Sequence, residues 1–389
     1  MQKKIIALAI AGLVSGGAFA QSTVTISGLI RMSAEQYKLS NVGAANASGT
    51  ENRVSDQSSM VVFTVKEDLG GGMYAGAVLD NRWGPDNGAA TSAGGNSNIN
   101  IGGNWGRIAM GRQDLHYGTA IESYKAYTLQ NILSNGIFSQ VWGYSIANAT
   151  RTPNVIMYDS PTMSGFSARV ALSSNWTGNE GRGTSAAGVS NPSSGSATNI
   201  ALNYANGPIK AGYSYWNATA EGGKAVGTIG VATTTAQGAL SAHDQRGDTL
   251  QFGYTLPMGV SVGLGWNKSK VTWSDVSLDR SAWVLPISYS FGASQVAFTY
   301  AKANDLKGTA GGITATLDST GASAYTLAFG HSLSKRTNVG VSYTKLDNKT
   351  NGAYNMFGLG ANGATPVGAT NTAVGADASQ MSVNLNHSF

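Results

Sequence analysis

The sequence predicts an all-β fold: sixteen antiparallel strands closed into a transmembrane barrel, with short turns at one end and long loops at the other. Three observations predict it. Short segments along most of the chain alternate apolar and polar residues, as in MSVNLNHSF at 381–389. The connections between these segments alternate in length, short then long. The composition is 52 glycines, 8 prolines, 16 tyrosines and 12% charged residues, which suits many strands joined by Gly, Asn and Ser turns.

The first element is a leader. MQKKIIALAIAGLVSGGAFA places Lys3 and Lys4 before a short apolar run and ends on Ala18-Phe19-Ala20, the pattern of a secretory signal peptide over residues 1–20. The run is too short for a spanning helix, which needs about 20 apolar residues. Cleavage before Gln21 leaves 21–389 as one domain and lowers the formal charge from +5 to +3, with Lys3 and Lys4 removed. So mild an excess points to no nucleic acid. An exported chain of this size without cysteine is not held by disulfides.

The strands follow at 23–33, 58–67, 73–82, 97–105, 107–112, 153–159, 166–174, 197–205, 209–216, 248–256, 259–267, 281–291, 295–302, 322–331, 338–346 and 380–389. Tight connections are DLGGG at 68–72, Gly106, SPTMSG at 160–165, NGP at 206–208, PM at 257–258, GAS at 292–294 and SLSKRT at 332–337. Long ones are 34–57, 83–96, 113–152, 175–196, 217–247, 268–280, 303–321 and 347–379. A Greek-key sandwich does not sort its loops this way. No fixed short repeat supports a β-helix or propeller.

Each strand has one face for lipid and one for water, and closure satisfies every backbone group. In 259–267, Val260, Val262, Leu264 and Trp266 alternate with Ser261, Gly263, Gly265 and Asn267. Tyr213, Tyr215, Trp266, Trp283, Tyr289 and Phe291 supply interfacial girdles. The last strand pairs with the first.

These residues resemble the trimeric general porins of Gram-negative bacteria, closest to the betaproteobacterial and neisserial type. The resemblance rests on VTISG at 24–28, KEDLGGG at 66–72, GRIAMGRQ at 106–113, YDSP at 158–161 with Gly165-Phe166, HSLSKRT at 331–337, and Phe389. It implies turns on the periplasmic side, loops outside the cell, a homotrimer and a third long loop, 113–152, folded inward. It also implies an outer-membrane location among lipid and lipopolysaccharide, and a terminal Phe389 read by the assembly machinery. The implied function is passive diffusion of ions and small hydrophilic solutes through a charged eyelet. Three departures stand out. Met60 replaces an arginine common in relatives, Thr162-Met163 replaces Glu-Phe, and an Asn-rich segment at 96–100 replaces basic residues.

Strand parity sends Arg31, Lys66, Arg169 and Lys210 to the polar face, because a charge toward lipid costs roughly 2–4 kcal/mol near the midplane. Arg82 and Asp80 close the third strand and form a candidate mutual pair, and Arg151 matches an eyelet arginine of relatives. The expected constriction is therefore a basic wall of Arg31, Lys66, Arg82, Arg151, Arg169 and Lys210. Asp80, Asp114 and Glu122 stand on the acidic side, and a mild anion preference follows.

Other chemistry finds little support. Gly358-Leu359-Gly360-Ala361-Asn362-Gly363 matches G-x-G-x-x-G without the strand and helix a dinucleotide needs, so no cofactor is expected. Four histidines at 116, 243, 331 and 387 offer no metal spacing and, apart from His116 near Asp114, no catalytic pair. An enzymatic barrel, an adhesin acting through its loops and a substrate-specific channel are the alternatives.

Overall fold

The computed structural model describes residues 22–41, 49–115, 137, 140–142, 144–146, 151–176, 195–219, 244–273, 276–310, 317–354, 356 and 374–389. The expected leader lies outside them. Twenty-one strands occur among the described residues: β1 (Thr23–Ser40), β2 (Gly49–Asp56), β3 (Met60–Gly70), β4 (Met73–Gly84), β5 (Ala89–Thr91), β6 (Ser97–Gly103), β7 (Gly106–Asp114), β8 (Gln140–Val141), β9 (Tyr144–Ser145), β10 (Arg151–Asp159), β11 (Phe166–Ser173), β12 (Ala197–Asn206), β13 (Ile209–Ala218), β14 (Asp244–Thr255), β15 (Val260–Trp273), β16 (Val276–Phe291), β17 (Ser294–Ala303), β18 (Lys307–Ala310), β19 (Ala322–Ser332), β20 (Thr337–Asn348) and β21 (Asp377–Ser388).

Sixteen of these are wall strands: β1, β3, β4, β6, β7, β10 to β17, and β19 to β21. Every neighbouring pair is antiparallel. The sheet closes where β1 meets β21, in register from Leu29↔Ser388 to Ser40↔Asp377. No edge is left with unpaired amides, as a hydrocarbon surrounding demands. The sixteen expected strands all appear.

Two of the expected long loops hold strand at both ends. Residues 34–40 continue β1 and 49–56 return as β2, while 268–273 and 276–280 are the ends of β15 and β16. Beyond the lipid the outward residues turn polar, so apolar alternation stops while the ladder continues. Gln36 Nε2 donates to Asn52 Oδ1 across this extension at 3.0 Å.

The faces follow the pleat. Ile26, Leu172, Leu264, Leu327 and Val383 are exposed outward, whereas Ser33, Asn98, Asn199, Asn267, Thr326 and Asn384 are buried inward. Tyr289 stacks on Phe291 at the turn end, and Trp266 packs on Trp283 at 6.4 Å toward the loop end. The Asp-Leu-Gly-Gly-Gly turn holds Gly70, Gly71 and Gly72 all at positive φ, a run that only glycine tolerates without strain. At the seam the Gly28 amide donates to the Phe389 carbonyl at 3.0 Å, and Phe389 donates back at 3.1 Å. A Cβ on Gly28 would stand 2.2 Å from Phe389 Cζ, so the bare glycine makes room for the ring.

Toward the loop end the interior is apolar. One cluster joins Ile137 to Tyr37, Leu39, Val284, Leu346 and Tyr354. A second joins Val141, Trp142 and Ile146 to Met157, Trp176, Trp216 and Leu278. Ile137, Val141, Trp142 and Ile146 all belong to the third long connection, so its described residues lie within the barrel.

Candidate pore constriction

Strand parity and one interruption build a cluster of charge inside the wall. Arg31 projects inward from β1 and is buried. Opposite it the second wall strand breaks at 57–59, where Ser58 adopts φ 78. Asp56 caps the break, accepting the amides of Ser58 and Ser59 at 2.9 Å each. The carboxylate of Asp56 acts on the Arg31 guanidinium, whose Nε and Nη1 have no hydrogen-bond partner within the protein.

Arg82 of β4 extends the basic wall. It pairs with Asp80 at 2.6 Å and donates to Ser58 Oγ at 2.9 Å. The mutual pair expected of these two residues is thus formed. Met60 stands directly across from Arg82 in register, so Arg82 supplies charge beside the position that lacks an arginine. Asn96 links the acids: its amide donates to Asp80 Oδ2 at 3.3 Å, and its Oδ1 accepts from the Asp114 amide at 2.6 Å.

Arg151 of β10 pairs in register with Asp114 of β7, at the root of the third long connection. Arg151 interacts electrostatically with Arg82, Asp114, Asp80 and Arg112, and Asp114 with Arg151, Arg169 and Arg82. Arg169 of β11 donates to the Asp114 carbonyl at 3.0 Å and pairs with Asp159 at 2.5 Å. Asp159 also holds Arg107 at 2.8 Å. The network therefore sets six arginines (31, 82, 107, 112, 151 and 169) against four aspartates (56, 80, 114 and 159).

The structure separates other expected members. Lys66 and Lys210 are exposed beside turns, at the ends of β3 and β13, and Lys66 lies over the Tyr74 ring at 4.7 Å. Their parity is inward, but their height removes them from the cluster. Glu122, His116, His243 and the 358–363 glycines lie outside the described residues. Glu35 belongs to β1, and its carboxylate is matched by Arg53 at 2.5 Å, Ser55 at 2.6 Å and Gln380 at 2.5 Å.

Across the lumen, Arg280 of β16 is buried and holds the third connection. Its Nε donates to the Gln140 carbonyl and its Nη2 to the Ile137 carbonyl, both at 2.8 Å, while Nη1 reaches Asn267. Trp142 Nε1 adds a bond to the Asn351 carbonyl at 2.7 Å. The third connection therefore leaves the wall at Asp114 and is tied to β16, seven wall strands farther round the barrel.

Arg107, Arg112 and Arg280 were not anticipated from sequence. Arg107 was legible by parity, since Ile108 and Met110 beside it face outward. Arg112 shares their outward parity, yet its Nε is buried beside Gly111, which takes φ 137. Arg280 was hidden among Leu278, Ala282 and Val284, an inward face that is apolar because it meets the third connection rather than water.

A family model described as Gram-negative porin matches residues 7–351. Outer membrane porin protein 32 of Delftia acidovorans is 29% identical over 176 residues, covering 43% of this chain and 48% of that protein. An outer membrane porin protein of Bordetella pertussis is 25% identical over 263 residues, covering 63% and 66%. The matches thus span about half and just under two thirds of those relatives. Among solved structures, an anion-selective porin from Comamonas acidovorans has a TM-score of 0.70 at 23% identity, covering 95% of this chain and all of that one. The trimer form of Vibrio cholerae OmpT has a TM-score of 0.65 at 11% identity, covering 95% and 99%. At these identities the likeness is one of fold. Matched over most of its length, and closed in the same architecture, the chain belongs to the Gram-negative porins, β-barrels of the outer membrane.

Proposed function

We propose that the barrel is a passive diffusion channel for ions and small hydrophilic solutes, with an eyelet that prefers anions. One observation carries the preference: six arginines and four aspartates share one network inside the wall, and Arg31 keeps donors unpaired there. In a narrow low-dielectric neck an excess of fixed positive charge raises the local concentration of anions. The acids, interleaved with the arginines, limit their mutual repulsion. Arg31, Arg82, Arg151 and Arg169 form the basic side, and Asp80 and Asp114, expected to face them, are instead set among them on the same arc of wall. The name of the Comamonas structure, an anion-selective porin, agrees with this sign.

The working unit in this reading is a homotrimer, as the trimer form of OmpT suggests. In the same reading the outer-membrane assembly machinery reads Phe389, and lipopolysaccharide surrounds the loop end. Planar-bilayer recordings under a roughly tenfold KCl gradient test the pore. Large steps in threes with an anionic reversal potential are expected. A cationic sign would move control to the acids, and folded protein without conductance would end the channel reading.

A further inference from the structure

Within the third long connection lies a short hairpin whose turn carries an unfavourable residue. Gln140 pairs with Ser145 and Val141 with Tyr144, so β8 and β9 leave two residues for the turn, and Trp142 is the first of them. Its φ is 51, in the left-handed region. Two-residue hairpin turns take asparagine, aspartate or glycine there, because a bulky side chain crowds the backbone. Strain of this kind persists only where surrounding contacts hold it, and it gathers at functional positions.

The contacts that hold it come from the eighth long connection. Trp142 Nε1 donates to the Asn351 carbonyl at 2.7 Å. Ala353 and Val374, of the same connection, pack against the cluster that contains Trp142. Asn351 is itself fixed: its amide donates to the Ser319 carbonyl at 2.9 Å, and its Nδ2 to the Asp318 carbonyl at 2.8 Å. Asn348 secures the next turn of chain, accepting the Tyr354 amide and donating to the Tyr354 carbonyl, both at 2.9 Å. Tyr354 shares the other apolar cluster with Ile137. The eighth connection therefore grips the third at Ile137 and Trp142, on either side of the Gln140 carbonyl that Arg280 holds.

Packing alone would ask for an apolar ring on this hairpin. It would not ask for a donor aimed at one carbonyl from a position where the backbone resists it. We propose that Trp142 is a positioning residue for the constriction: its indole hooks the third connection to the eighth and so fixes how far the third projects into the lumen. Lys349 and Thr350 are exposed beside the hook, so the neck is set from the outer surface. With the hook released, the strained turn relaxes and the third connection moves among several positions. The hook deepens the channel proposed above and rests on it for its effect on current.

Single-channel recordings of W142F, N351A and the double variant test the hook. W142F keeps a ring in the cluster but has no donor, and N351A removes the bond to Asp318 while leaving the apolar contacts. Each should raise the frequency of transient current steps about fivefold, as the loss of one hydrogen bond allows. The double variant should do no more than W142F, because both changes act through one bond. A quiet W142F, which a packing role predicts, or effects that multiply in the double variant would overturn the hook. Exchange of the Trp142 indole proton needs no conductance, and N351A covers the case in which W142F fails to fold. That exchange should be slow in the wild-type protein and faster in N351A. Fast exchange in the wild type, or no change in N351A, would overturn the hook, whereas slow exchange in folded protein that does not conduct would overturn the channel alone.

Discussion

At the scale of single residues, the pore hypothesis depends on three arginines whose positions differ in kind. Arg31 is buried with unpaired donors, Arg151 faces Asp114, and Arg169 is already paired with Asp159. Replacing all three by glutamine should move the reversal potential toward cations. Most of the movement should come from Arg31 and Arg151, because Asp159 retains Arg107 when Arg169 is lost. An unmoved potential removes them from the eyelet. Gly28 offers a separate test. A valine there would meet the Phe389 ring and, at 2.8 Å, the Met60 carbonyl, which cannot rotate away. Overpacking of this kind costs about 1–3 kcal/mol. G28V should give less heat-resistant folded band on a gel than G28A, and both less than wild type. The charged wall was legible from parity because a misplaced charge toward lipid is costly. Lys66 and Lys210 misled because parity fixes the face of a residue but not its height.

At the scale of elements, the third connection is held from across the lumen. Arg280 satisfies the carbonyls of Ile137 and Gln140, and removing it leaves those acceptors buried, at about 1–3 kcal/mol each. R280M, which keeps most of the volume, should loosen this tie. The expected result is larger, noisier single-channel conductance in a barrel that still folds. Quiet wild-type currents would show that the tie is dispensable. A second clamp joins the connections after β17 and β20. Partial burial pushes the Asp305 carboxyl up, but the Lys349 ammonium and the amides of Gly321 and Thr320 outweigh it and hold it below the usual range. A depressed acid stabilises the fold above its unfolded pKa, and that contribution fades as pH falls through the folded value. Hydrogen exchange at the Gly321 amide, corrected for intrinsic rate, should therefore quicken below the ordinary carboxylate range. D305N should already show quick exchange at neutral pH. Strands were legible wherever lipid imposed apolar alternation. They are not legible at 34–40, 49–56, 268–273 and 276–280, where the ladder runs on in water and nothing in the outward residues marks it.

At the scale of the whole molecule, the wall contains no element that could stand alone. Strands β3 to β20 each bond neighbours close in sequence, but β1 has β21 on one side, and Leu29 must find Ser388. The count of strands, their order and their closure could be read from the alternation of faces together with the loop lengths. The depth at which the third connection lies could not, because its hold depends on a residue far along the chain. The seam has a consequence for biogenesis. Until residues 377–388 exist, one side of the first strand has nothing to bond, and an open sheet edge cannot be left in hydrocarbon. Insertion must therefore be a late, single event: the nascent barrel has to be kept from lipid, or its first strand lent a temporary neighbour, until the final segment arrives to take that neighbour's place.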